Sequence, residues 1–234
     1  MIKIENTEVF GWGASVRGAR NPMNSWDKSD SEWDMPGTWD YDRGELPKFE
    51  IGKNDLKLMK NLSKAGTDHG KFLRYLVVQL DITAPFYWWK EFKTYRKGRK
   101  FMDEGDELLD PEEFEMFIEI NSCSTMHKIH AKEFELDDFS HEHLDGRSIV
   151  WLENTIQLLN LYREYFIRDK VKSDWWQMIQ MLPSSYNQKR TVQLNYQVLK
   201  SMYHARKNHK LDEWRKFCAW CETLPYFKEI CIQE

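Results

Sequence analysis

Phe72-Leu73-Arg74-Tyr75-Leu76-Val77-Val78-Gln79-Leu80-Asp81-Ile82, followed through Thr83-Ala84-Pro85 by Phe86-Tyr87-Trp88-Trp89-Lys90-Glu91-Phe92-Lys93-Thr94-Tyr95-Arg96, carries the two patterns that decide the fold class. The first half is rich in β-branched and aromatic residues with period-2 character, which predicts a strand over 72–82. Proline is tolerated in a first helical turn and threonine is a good cap before it, so a helix is expected from Pro85 to about Arg96. Lys93, Arg96, Lys97, Arg99 and Lys100 crowd its C-terminal end, where the helix dipole is negative.

Toward the N-terminus, Leu56, Leu58, Met59 and Leu62 recur at helical spacing and Gly66 supplies a stop, predicting a helix over 54–65. Short alternation from Ile2 to Trp12 predicts a strand, and the Gly-, Asn-, Asp- and Trp-rich stretch that continues to about Lys48 reads as a long loop. Loops of that length usually carry function or wrap a neighbour. Toward the C-terminus, the acidic stretch Asp103 to Glu113 reads as an exposed loop, and helices are expected over 149–167, 174–181, 190–206 and 211–226. With no internal repeat, the fold class is α+β with a helical C-terminal half.

The length of 234 residues leaves room for a real core without disulfide or metal staples. Hydrophobic residues at 41% and charged residues at 31% exclude a disordered tail or a membrane protein. A net charge of -4 gives no global basic field, so duplex nucleic acid is not an expected partner. The start Met1-Ile2-Lys3-Ile4-Glu5 lacks a signal-peptide core and no apolar run is of spanning length, so a cytoplasmic protein with free thiols at Cys123, Cys218, Cys221 and Cys231 is expected. Cys218-Ala219-Trp220-Cys221 has redox spacing, but inside a helix it reads as buried or interfacial thiols. His127-Lys128-Ile129-His130 and His141-Glu142-His143 lack the paired Cys/His pattern of a structural zinc site, and no metal is expected.

Aromatic residues reach 15% of the chain, with 11 Trp. Trp88-Trp89 and Trp175-Trp176 read as core or subunit contacts, and Trp12, Trp26, Trp33 and Trp39 as interface or lid residues. Gln188, Asn195 and Arg206 stand 7 and 11 residues apart, close to two and three turns, which would line them on one helix face with Leu199 and Met202. Polar groups set among apolar ones describe a ligand pocket seen from one helix. The alternative is an Asn195 that caps and an Arg206 in an ordinary ion pair.

Pro85 to Arg96, placed after Ile82-Thr83-Ala84, resembles the helix that carries the signature motif of the flavin-dependent thymidylate synthases. That helix ends in Arg-His-Arg; Arg96 matches the last arginine, and Thr94 and Tyr95 stand in place of the other two. Beyond an acidic insertion, Glu119-Ile120-Asn121-Ser122-Cys123-Ser124-Thr125-Met126 resembles the Ser-x-Asn-x-x-Ser-x-Arg continuation, with Asn121 and Ser124 matching and Met126 at the arginine. Val16-Arg17-Gly18-Ala19-Arg20, the stretch Leu58 to His69, and Leu182-Pro183 with Asn195 and Arg206 resemble further segments of that family in the same order.

The resemblance implies a thymidylate-synthase-complementing-protein-like fold, an antiparallel sheet packed with helices. One domain over 1–234 would carry a Trp-rich loop at about 20–48 and an acidic insertion at about 97–118. It implies reductive methylation of the uracil base of dUMP, with methylene-tetrahydrofolate as carbon donor, NADPH as reductant and FAD, or else FMN, as hydride carrier. Carried over by position, Arg96, Asn195 and His69 bind flavin, Ser124 and Arg206 bind the nucleotide, and Arg206 serves as the catalytic cation for charge developing on the pyrimidine. A homotetramer with active sites between subunits is implied as well.

The departures bear on the same chemistry. A thioether at Met126 is only a weak acceptor, and Ile179 stands four residues before Pro183, where the family has another nucleotide-binding arginine. Two lost charge-assisted contacts, each worth roughly 1.5–3 kcal/mol, weaken dUMP binding by orders of magnitude unless another cation, such as Lys128, Lys90 or Arg17, fills in. The competing expectations are a non-catalytic nucleotide-binding or assembly protein that kept the fold, and a protein whose loop from Trp26 to Trp39 docks a partner chain.

Overall fold

The computed structural model describes residues 2–33, 49–96, 118–123 and 125–232. The acidic stretch at 103–113, Trp39 and most of the Trp-rich loop lie outside the described residues. The elements form a mixed architecture of helices and antiparallel sheet. They run β1 Lys3–Phe10, α1 Trp12–Arg20, β2 Glu32–Trp33, β3 Phe49–Glu50, α2 Lys53–Lys64, β4 Val77–Pro85, α3 Phe86–Phe92 and β5 Glu119–Ser122. There follow α4 Thr125–Lys128, α5 Gly146–Asp169, α6 Lys172–Met181, β6 Asn187–Asn195, α7 Tyr196–Arg206 and α8 Asp212–Cys221. One sheet has the order β1-β4-β6-β5, and β2 pairs antiparallel with β3.

Among the described residues the chain divides into two compact units. The first holds 2–6, 80–96, 119–123 and 125–192; the second holds 7–33, 49–79, 118 and 193–232. Strands β1, β4 and β6 pass along the chain from one unit to the other.

The strand expected over 72–82 begins later and ends later. His69–Tyr75 is a 3-10 segment, in which Phe72 and Leu73 are both buried and Arg74 and Tyr75 both exposed, so strict alternation starts only at Val77. From there Val78, Leu80, Ile82 and Ala84 are buried, while Gln79 is exposed and Asp81 and Thr83 are half-buried. Pro85 stays extended and ends β4, so Thr83 does not cap the helix. Phe86 N and Tyr87 N instead donate to Tyr186 O and Ser184 O, both at 3.1 Å, so the turn after Leu182-Pro183 satisfies the first orphan donors of α3.

Two further expectations are corrected. Residues 12–20 form helix α1 rather than loop, because Trp12, Ser15, Val16, Ala19 and Arg20 recur on one face and that face is buried. Gly11, at φ 94°, makes the turn into it, and a Cβ there would meet Tyr75 O. Residues 187–195 form strand β6 rather than the start of a helix, since Gln188, Arg190, Val192 and Leu194 are the buried positions. The helices expected over 54–65, 149–167 and 174–181 are observed as α2, α5 and α6. Asp145 caps α5 by accepting from Ser148 N at 2.9 Å. The last expected helix ends at Cys221, with a π-turn at Lys228–Ile232.

Each unit has its own core. In the first, Ile129, Phe134, Phe139, Leu152, Ile156, Leu159 and Met178 form one cluster, and buried Trp88, Trp89 and Phe92 pack on one another. In the second, Trp12 meets Tyr196 and Tyr226 edge-on at 5.7 and 5.5 Å between centroids, so this ring is core rather than lid. Trp26 is exposed.

Candidate functional site

In the first unit, β6 sets a charged residue into its buried register. Arg190 is only 8% exposed, and its guanidinium lies 4.3 Å from the centroid of the Trp89 ring. Its Nε and Nη2 donate to Gln188 Oε1 at 2.9 and 2.6 Å. Gln188 is in turn held from both ends: its carbonyl accepts from Trp89 Nε1 at 2.9 Å, and its Nε2 donates to Cys123 O at 3.0 Å. Burial pulls the Arg190 pKa below its ordinary value, and Cys123 partly offsets that pull. No carboxylate pairs with Arg190 among the described residues. Reading 190–206 as one helix hid this residue; the signal was the alternation of Gln188, Arg190, Val192 and Leu194.

The other candidates of this unit are only partly described. Arg96 ends the 3-10 segment Lys93–Arg96, and its side chain lies outside the described residues, as do Ser124 and the side chain of Met126. Ile179 packs against the apolar cluster, so this position offers neither charge nor a hydrogen bond. Lys90 and Lys128 are exposed.

In the second unit, Asn195 and His69 belong to the elements that meet at the entry to α7, and Arg206 lies at its far end. Asn195 is the N-cap, accepting from Val198 N at 3.0 Å, and Tyr196 N donates to Leu76 O at 3.0 Å. That places the start of α7 against the His69–Tyr75 segment. Gln197 Oε1 is buried and accepts no hydrogen bond among the described residues. A Cβ at Gly70 would stand 3.5 Å from it, in ordinary van der Waals contact, so Gly70 packs directly against this acceptor. His69, the neighbour of Gly70, is exposed, as is Arg17. Lys200 is committed to Ser63, donating to its O at 2.6 Å and its Oγ at 2.8 Å.

Arg206 closes α7 about 16 Å from Asn195 at 1.5 Å per residue, its guanidinium 5.0 Å from the Trp214 ring centroid. Gln188 and Asn195 therefore both sit on β6, Asn195 as its last residue and the N-cap of α7, while Arg206 ends α7. The expected stripe of three on one helix is two residues on a strand and one on a helix.

Other clusters are quiet. Cys218 and Cys221 are buried on α8 and Cys231 is buried beyond it, and burial pushes the thiol of Cys218 to about 11, that of Cys231 to about 12 and that of Cys221 well above its ordinary value. Among the described residues no three His, Cys, Asp or Glu side chains are grouped to hold a metal. A cavity of about 670 Å³ in the first unit is lined by Tyr87, His141, His143, Arg147, Trp151 and Ser184 among others, and one of about 500 Å³ in the second by Lys60, Lys64, Tyr203, Glu222 and Lys228 among others. Arg190, Asn195 and Arg206 line neither. No described helix is long and apolar enough to cross a membrane.

No protein-family model matches the chain, and no functionally described protein matches it by sequence. Solved structures do match by fold. Flavin-dependent thymidylate synthase ThyX from Helicobacter pylori, complexed with FAD and dUMP, superposes with a TM-score of 0.63 at 14% identity, covering 99% of this chain and 98% of that one. A second crystal structure of the same enzyme with FAD and dUMP gives the same TM-score and identity over 100% of this chain and 98% of that one. At that identity the likeness establishes a ThyX-like fold over the whole chain.

Proposed function

We propose that this chain is a single-domain, flavin-dependent thymidylate synthase-like protein that binds FAD and a pyrimidine nucleotide of the dUMP type, for reductive methylation or a related reaction. The observation that carries this reading is the end-to-end fold match to an enzyme crystallised with FAD and dUMP. The residues at the entry to α7 fit a flavin: the buried Gln197 Oε1, which accepts no hydrogen bond among the described residues, suits an imide N–H. Asn195 and His69, with Arg96, are the flavin ligands in this reading; Ser124 and Arg206 hold the nucleotide, and Arg206 supplies the fixed charge that polarises the pyrimidine. A bound flavin supplies hydride transfer between NADPH and a carbon unit from methylene-tetrahydrofolate.

A homotetramer with sites between subunits belongs to the same proposal. Val150, Trp151, Leu158 and Leu161 on α5 are 55%, 64%, 39% and 40% exposed and fall within about 100° of one another around the helix, an apolar stripe suited to a second copy.

The visible spectrum of the purified protein, before and after reconstitution with FAD and with FMN, tests the reading. A yellow protein, or one that takes up flavin, supports it; a colourless protein that binds neither sinks it. Asn195→Ser keeps an N-cap oxygen but removes the amide donor, and is expected to weaken flavin binding without loss of stability. With flavin bound, dUMP-dependent oxidation of the reduced cofactor with methylene-tetrahydrofolate separates thymidylate synthesis from a related reaction.

A non-catalytic nucleotide-binding or assembly protein is the second reading, favoured by Ile179 packing into the apolar cluster. It predicts an assembled protein without turnover, and steady-state nucleotide conversion that depends on Arg206 eliminates it.

A further inference from the structure

Two buried arginines in this chain have opposite surroundings. Arg20 has a side chain 5% exposed and pairs with Asp55, whose side chain is 1% exposed, at 2.5 Å. Arg190 is buried to a similar degree, and the oxygen in front of it belongs to a neutral amide. A guanidinium taken out of water without a counter-charge is costly, and folding normally supplies a carboxylate. Here Gln188 Oε1 takes the edge formed by Nε and Nη2, and Trp89 fixes the plane of the group. The opposite edge, Nη1 with the second proton of Nη2, keeps the fork geometry that receives two oxygens of an oxyanion.

The surroundings make the arrangement rigid. Gln188 cannot turn away without breaking its bond to Cys123 O, and Trp89 is tied to the Gln188 carbonyl. Cys123 directly follows β5 and immediately precedes Ser124 in the sequence, the residue proposed above as a nucleotide ligand. The arginines missing at Met126 and Ile179 leave the nucleotide of that reading short of cations.

We infer that Arg190, oriented by Gln188 and Trp89, is the phosphate-binding cation of this protein. It takes the phosphate of a nucleoside monophosphate through two parallel hydrogen bonds, in place of the absent arginines. The inference rests on the nucleotide-binding reading for the identity of the ligand, and on Arg190 alone for its phosphate chemistry. Gln188 acts as a positioning residue: its neutrality leaves the charge of Arg190 available, and a carboxylate at that place would consume it.

Calorimetric titration of dUMP, deoxyuridine and inorganic phosphate into the wild type, Arg190→Gln, Arg190→Lys and Gln188→Glu tests this. Arg190→Gln and Gln188→Glu are each expected to weaken dUMP at least tenfold while leaving deoxyuridine unchanged. Arg190→Lys retains charge without the fork and should fall between them and the wild type. Inorganic phosphate should compete with dUMP in the wild type. Should Arg190→Gln fail to fold, Gln188→Glu and Arg190→Lys carry the same comparison. Undiminished dUMP affinity in the folded variants overturns the inference and leaves the proposed function standing.

A wild type that binds no pyrimidine nucleotide removes the proposed function, and the phosphate site is then read at Cys123. This thiol is exposed whereas Cys218, Cys221 and Cys231 are buried, so alkylation by iodoacetamide reports on it selectively. Phosphate that slows alkylation in the wild type but not in Gln188→Glu supports the site, and phosphate without effect overturns it.

Discussion

Single residues in this chain separate charge used for folding from charge left for a ligand. Asp55 shows the first use. Burial pushes its carboxyl up, yet hydrogen bonds from Ser31 and Ser29 and the hydrogen bond and charge of Arg20 outweigh that, so its pKa is lowered. Its Oδ2 also accepts from Asp30 N and Ser31 N, both at 3.1 Å, so one carboxylate organises residues 29–31 and neutralises Arg20. Asp55→Asn is expected to cost about 3–5 kcal/mol, read as a lower urea midpoint, because it strands a buried guanidinium. Adding Arg20→Met should recover only part of the loss, since the 29–31 loop still lacks its acceptor. A midpoint unchanged in Asp55→Asn contradicts this account. Nothing in the one-dimensional pattern distinguishes Arg20 from Arg190, because pairing depends on which residues distant in sequence arrive beside each.

At the scale of the element, β6 shows how one strand serves two environments. Its buried register holds Gln188, Arg190, Val192 and Leu194, and its other register holds Lys189 and Thr191, which join Asn6 around Asp81. Hydrogen bonds from Thr191, then Asn6 and Lys189, hold the Asp81 carboxyl at about 2, below its ordinary 3.8. A carboxylate depressed in the folded state contributes stability that is complete above its unfolded pKa and is lost as the pH falls through the folded one. Stability should therefore drop between about pH 4 and pH 2, and Asp81→Asn should flatten that part of a urea-midpoint profile. An identical acid limb in the variant would show that the network carries no linkage. The helices α2, α5 and α6 were legible from apolar spacing, and α2 also from its Gly66 stop. β6 was not, because Gln188, Lys189, Arg190 and Gln193 are polar and the 7- and 11-residue spacings to Asn195 and Arg206 mimic helical turns. α1 was hidden by glycines of low helix propensity, and its burial outweighs that propensity.

For the whole molecule, the apolar stripe on α5 is the feature that a single copy leaves open. If the protein assembles through it, Trp151→Glu with Leu158→Glu should lower the mass seen by sedimentation from four copies toward one while the far-ultraviolet circular dichroism stays unchanged. A wild type that sediments as one copy refutes the assembly. The sequence by itself determined the mixed helix-and-sheet class and three of the long helices. Those depend on short-range periodicity and on capping, which are local. Only the tertiary structure decided that Trp12 is core, that Gln188 lies on a strand, and that, among the described residues, Gln197 Oε1 has no donor and Arg190 lies buried on Trp89 with no carboxylate paired to it. Each of these is set by groups far apart in sequence, such as Trp89 and Arg190, and burial and pairing follow from where the chain brings such groups together.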